Sequence, residues 1–142
     1  MRKEVFFLGA GFSKAVNFNY PLLKELTDTV NSNFINKYSQ SALKAHFDEI
    51  PDTLKINIEQ LLTYLSSDCP WTTSIQKDMN TALYKALTKE ISNYIEDIET
   101  TKINQNIIDF IKYINGRESP IITLNYDTLL ESLSSPHSLI QV

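Results

Sequence analysis

The chain has 142 residues, 42% of them apolar and 21% charged, a composition that buries a core and suits a single domain over 1–142 rather than two domains or a disordered tract. Thirteen Lys and Arg stand against 17 Asp and Glu, and the net charge of −4 argues against the basic face that a non-specific grip on nucleic acid needs. One cysteine, Cys69, excludes an internal disulfide and a cysteine-built metal centre, and no apolar run approaches the roughly 20 residues of a membrane span or forms a signal-peptide core, so the cytoplasm is the expected compartment.

Val5-Phe6-Phe7-Leu8 predicts a short strand over Glu4 to Leu8. An apolar run without alternation suits a strand covered on both faces, as in parallel sheets. Gly9-Ala10-Gly11 predicts a turn, followed by a polar and aromatic loop through Tyr20. Pro21 predicts a helix start, and Leu22, Leu26, Val30 and Phe34 give that helix one apolar face. A short helix is expected around Ala42 to Phe47, ending before Pro51.

Asn57 and Gln60 have the spacing of a capping box, ahead of an apolar stripe at Ile58, Leu61, Leu62 and Leu65. Asp68-Cys69-Pro70 breaks that helix, and Trp71 is expected to bury its ring at the junction. Thr73 and Gln76 form a second capping box. Ile75, Met79, Leu83, Leu87, Ile91, Ile95 and Ile98 then mark a long amphipathic helix. Another runs from about Ile103 to Asn115, with Ile107, Ile108, Ile111 and Ile114 inward and Gly116 as its stop.

Pro120 to Leu124 predicts a second apolar strand, ending at Asn125-Tyr126-Asp127, with a short helix from Thr128 to Leu133 after it. The expected fold class is α/β, a parallel layer with a large helical insertion between its first two strands. Two strands make a poor sheet. Either the segment from Ser134 to Val142 adds a third strand, or the chain is the front part of a larger domain.

Two segments carry candidate chemistry. Gly9 allows a tight turn off the strand end, and Gly11 allows a pyrophosphate to approach the backbone without a Cβ in the way. The amides of Gly9 to Ser13, with the Ser13 hydroxyl, can hold phosphate oxygens. Lys14 stands where the usual dinucleotide fingerprint has its third glycine. The other reading of this segment is an ordinary strand-to-helix turn. Asn125 and Asp127 follow the second strand, and in a parallel sheet that places them on the same rim. Their other reading is local: Asp127 caps a helix and Asn125 holds a turn.

Three segments together resemble a sirtuin-like domain of the bacterial branch related to NAD-hydrolysing phage-defence proteins. They are Phe7-Leu8-Gly9-Ala10-Gly11-Phe12-Ser13-Lys14, then Asn57-Ile58-Glu59-Gln60-Leu61-Leu62 with Pro70-Trp71 after it, and Ile122-Thr123-Leu124-Asn125-Tyr126-Asp127. The resemblance spans the chain as far as Glu131, the N-terminal portion of such a domain. It implies a partial Rossmann-like parallel sheet, NAD as ligand, and cleavage of the nicotinamide–ribose bond. It implies that Gly9, Ala10, Gly11, Phe12 and Ser13 contact the dinucleotide. Asn125 would sit beside the nicotinamide ribose and help position water, with Asp127 nearby, these two being the expected catalytic pair. No metal is implied.

Leu22 and Leu23 stand where protein-deacylating relatives carry an acidic residue after the proline, which argues against lysine deacylation. The family's histidine lies beyond the Asn-x-Asp segment. The histidines here are His46 and His137. His46 lies within a helix and reads as a packing residue, and nothing around His137 matches the family's histidine segment. The general base is therefore missing from the expected set, and the chain is expected to be inactive alone. Two other functions stay open: a non-catalytic module for NAD or ADP-ribose, and a helical interaction protein that pairs with itself or with a partner chain completing the sheet.

Overall fold

A computed structural model describes residues 4–98, 105–125, 127, 129 and 130. The element order is β1 (Phe6–Leu8), α1 (Ala10–Val16), α2 (Leu23–Lys37), α3 (Ala42–Glu49), α4 (Asp52–Lys55), α5 (Ile58–Ser66), α6 (Ser74–Glu96), α7 (Gln105–Gly116) and β2 (Ile121–Thr123). The chain divides into two compact units, one of Met1–Leu22 with Ile98–Val142, the other Leu23–Asp97. Among the described residues no helix is long and apolar enough to cross a membrane.

The Leu23–Asp97 unit is a bundle of α2 to α6. The apolar positions repeat at helical spacing, so burying one stripe from each helix builds a single core. Leu26, Val30 and Phe34 from α2, Ile58, Leu61, Leu62 and Leu65 from α5, and Leu83, Leu87 and Ile91 from α6 form it with Phe47 and Ile50. The Phe34 ring lies 4.9 Å from Tyr38 and 5.1 Å from Phe47.

At the start of α5 the Asn57 cap forms, without the return bond from the Gln60 side chain that a full capping box would add. The Asn57 side chain accepts from the amides of Glu59 and Gln60 at 2.9 and 3.2 Å, and its carbonyl accepts from Leu61 at 3.0 Å. The remaining amide, Ile58, donates to the buried Thr27 hydroxyl at 3.1 Å, which itself donates to the Leu23 carbonyl at 2.7 Å. Thr27 thereby spares a buried orphan N–H, a role that no apolar residue at this position fills. The capping box at Thr73 and Gln76 forms as expected.

Glu90 is buried in this unit, and the Lys37 ammonium meets its carboxylate at 2.6 Å. That hydrogen bond, with the charge of Glu90, holds Lys37 above the ordinary 10.5 of a lysine against the opposing effect of burial.

Two expectations for this unit change. The α6 stripe does not begin at Ile75, which is 74% exposed; its first buried residue is Asn80. At 1.5 Å per residue, the 23 residues of α6 span about 34 Å, and α5 with nine residues reaches well under half that length. The Trp71 ring is 83% exposed rather than buried. The one-turn helix α4 carries no periodic signal, because four residues cannot show a period of 3.6.

In the other unit β1 and β2 pair in parallel, Phe6 opposite Ile121, Phe7 opposite Ile122 and Leu8 opposite Thr123. Helix α7 covers one face. Its Phe110 and Tyr113 meet the Phe6 ring edge-on at 5.6 and 6.4 Å. Val16, Ile111, Ile114, Leu129 and Leu130 are buried.

The expected α/β class, a partial Rossmann-like sheet, is overturned. The described sheet has two strands of three residues each, and the described chain is otherwise mainly helical. The expected coverage of both strand faces fails with it. Burial alternates along both strands, with Phe7 75% and Ile122 44% exposed. An apolar run reports that a strand can be covered on two sides, not that a second layer exists.

The predicted loop after Gly9 is instead helix α1. Gly11 has no positive φ, and Ala10, Lys14 and Ala15 favour helix. The stop of α7 also differs. The Ser119 amide bonds back to the Ile114 carbonyl and the Glu118 amide to that of Asn115, both at 3.2 Å. This is a Schellman ending whose left-handed position is Glu118, at φ 51°, and not Gly116. The segment Ser134–Val142, where a third strand was one of the two alternatives, and most of the Thr128–Leu133 helix lie outside the described residues.

Candidate functional site

The parallel register brings the carboxyl ends of β1 and β2 side by side, so the segments that follow them share one rim. After Leu8 the chain turns at Gly9, whose φ of −117° and ψ of −174° are extended, and enters α1 at once. Phe12 donates its amide to the Gly9 carbonyl at 2.8 Å, closing the first turn. That turn carries Ser13 inward to 2% exposure. After Thr123 the Asn125 amide donates to the Thr123 hydroxyl at 3.2 Å, which folds the chain back over its own strand end.

Ser13 joins the two segments. Its Oγ donates to Asp127 Oδ2 at 2.8 Å and accepts from Asn125 Nδ2 at 2.8 Å. The second carboxylate oxygen of Asp127 accepts from the Leu129 amide at 3.1 Å. The two readings of Asp127 are therefore compatible: one oxygen supports the local chain and the other holds Ser13. Residues 112 and 114 positions apart form a single hydrogen-bonded cluster.

The other expected site residues take different places. Gly9 and Gly11 are exposed, and a Cβ on either would meet nothing within 4 Å. Neither has a positive φ, so the backbone asks for glycine at neither position. Ala10 is half-buried. The Phe12 ring lies 5.9 Å from Phe110 and packs towards α7. His46 sits in the helical unit, where Nε2 is 2.7 Å from Asn80 Oδ1 and Nδ1 is 3.8 Å from Glu49. Those partners suit the packing reading. His137 and Tyr126 lie outside the described residues. Among the described residues no group of three or more His, Cys, Asp or Glu could hold a metal ion.

Sequence reasoning placed Ser13 and Asn125 on one rim and missed their direct bond. The available signal was the distance from Gly9 to Ser13, which is one helical turn if the glycine segment opens a helix instead of a loop.

Comparison with known proteins adds no relative: no family model, no curated protein and no solved structure matches the chain.

Proposed function

We propose that the unit built from the two strand ends binds NAD or its ADP-ribose part. In this reading it is the nucleotide-binding portion of a sirtuin-like hydrolase that cleaves the nicotinamide–ribose bond. The observation that carries the reading is the Ser13 hydroxyl, which ties Asn125 and Asp127 together at the carboxyl ends of two parallel strands. The open space over Gly9 and Gly11 supports it, because a pyrophosphate needs an approach to backbone amides that no side chain blocks.

The chemistry asks little of the protein in acid catalysis. The leaving ring of NAD is a cationic pyridinium. Its C–N bond breaks with both electrons passing to the ring nitrogen, and neutral nicotinamide departs. A water oxygen bonds to the ribose carbon and releases one proton to a base. Asn125 is the residue assigned to the ribose and the water. Asp127 holds the cluster, and the amides of Gly9 to Gly11, ahead of the Phe12 amide that closes the first turn of α1, take the phosphates. His46 is engaged by Asn80 and Glu49, so among the described residues no histidine is assigned as the base.

Calorimetric titration with NAD and with ADP-ribose tests this. Heat and a thermal shift are expected for both ligands. Asn125→Ala should weaken them at least tenfold, the effect of about one polar contact, and the chain alone should release no nicotinamide. No heat and no thermal shift at millimolar ligand would overturn the proposal.

A second reading, self-association, is favoured by the uncovered strand face, where Val5, Phe7, Ile122 and Leu124 are all exposed. Sedimentation of a concentration-independent monomer would end it.

A further inference from the structure

The cluster has a direction, and the direction follows from which atoms can donate. An ionised carboxylate has no hydrogen to give, so Ser13 must donate to Asp127. That uses the only hydrogen of the hydroxyl. The atom of Asn125 that faces Ser13 must then be a donor, its Nδ2, as found. The amide oxygen Oδ1 is consequently turned to the other side of the group, and among the described residues nothing donates to it.

We infer that the charge of Asp127, acting through Ser13, determines which end of the Asn125 amide is offered outward. Asp127 is in this sense a positioning residue for Asn125. The inference deepens the nucleotide reading and rests on it for what Asn125 faces. With Oδ1 turned away from Ser13 the group keeps an acceptor to offer, suited to a ribose hydroxyl or a water and unsuited to a phosphate oxygen.

Neutralising Asp127 reverses the chain of bonds. A protonated carboxyl donates to Ser Oγ and frees the Ser hydrogen, which can pass to Asn125 once that amide rotates to present Oδ1 inward and its hydrogens outward. Asp127→Asn gives the same result at neutral pH, for a reason visible in the geometry. The Leu129 amide donates to one side-chain oxygen of residue 127, so the oxygen of the new amide is held there. Its nitrogen then faces Ser13 as a donor.

The test uses the full chain labelled with nitrogen-15 and carbon-13, without ligand. The Asn125 side-chain amide pair is assigned by its loss in Asn125→Asp. In the Asp127→Asn protein at neutral pH this pair should shift, while backbone amides far from the rim keep their positions. In Ser13→Ala, adding Asp127→Asn should leave the Asn125 pair where Ser13→Ala alone puts it.

An unmoved Asn125 pair in a folded Asp127→Asn protein would overturn the inference. So would a pair that shifts just as far when Asp127→Asn is made in Ser13→Ala. Asp127→Ala, which also removes the charge, decides if Asp127→Asn fails to fold. Because no nucleotide is present, failure here is distinct from failure to bind NAD.

Discussion

The two units spend their residues differently. In Leu23–Asp97, apolar stripes from four helices close on one core, and even the buried polar groups Thr27 and Glu90 are matched to partners. In the other unit the sheet is two short strands, and Phe7 and Ile122 face outward. Its long-range polar cluster joins Ser13 to Asn125 and Asp127. Regular helices with satisfied ends hold a fold together. The rim residues are tied to one another where two chain segments meet, which is an arrangement suited to presenting polar groups rather than to filling a core.

Substitutions can break this contrast, and the largest effect belongs to the bundle. Leu87 is fully buried, and Leu87→Ala should lower stability by about 2–5 kcal/mol, the range for a leucine cavity. Urea unfolding followed by far-ultraviolet circular dichroism measures it. A loss under 1 kcal/mol would mean that the core is not closed around this residue.

A smaller change, of opposite sign, is expected at the end of α7. Glu118 occupies the left-handed position of the Schellman ending. Glu118→Gly should raise stability by about 1 kcal/mol, because glycine enters that region without the clash of a Cβ. An increase in the urea midpoint at unchanged slope is the expected reading.

The strand face sharpens the comparison by its silence. Phe7→Ser should change stability by no more than about 0.5 kcal/mol, since the side chain is 75% exposed. A loss of several kcal/mol would show that the face is covered in solution.

The last effect concerns pH. The Lys37 pKa is raised by its bond to Glu90, so its contribution to stability is complete below 10.5 and is lost as pH rises through the raised folded value. Wild type and Lys37→Met should differ below that value and converge above it. A difference that persists in strong alkali would contradict the assignment.

Much of the bundle could be read from sequence, because caps and stripes are local. Asn57 and Thr73 announce their helices within one turn, and Ile58, Leu61, Leu62 and Leu65 are buried as their spacing implies. The two strands and their common rim are also legible in the sequence. Among the described residues the larger sheet expected around them is absent, since four apolar residues in a row say nothing about how many neighbours a strand has. The end of α7 was misplaced because Gly116 is the residue that favours a left-handed turn, while the bonds from Glu118 and Ser119 carry the helix past it. At the site, residue types and order pointed to Gly9–Ser13 and Asn125–Asp127. The bond between Ser13 and Asn125 is a contact across 112 positions, set by strand register and helix phase together, and only the helix phase leaves a local trace, in the spacing of Gly9 and Ser13.

The proposed nucleotide site is the rim tied by Ser13. It is tested most directly by titrating the labelled chain with NAD and following two signals, the Gly11 backbone amide and the Asn125 side-chain amide. Both should move together and saturate with one midpoint. A spectrum in which neither moves at millimolar NAD, or in which only amides of the Leu23–Asp97 bundle respond, would contradict it.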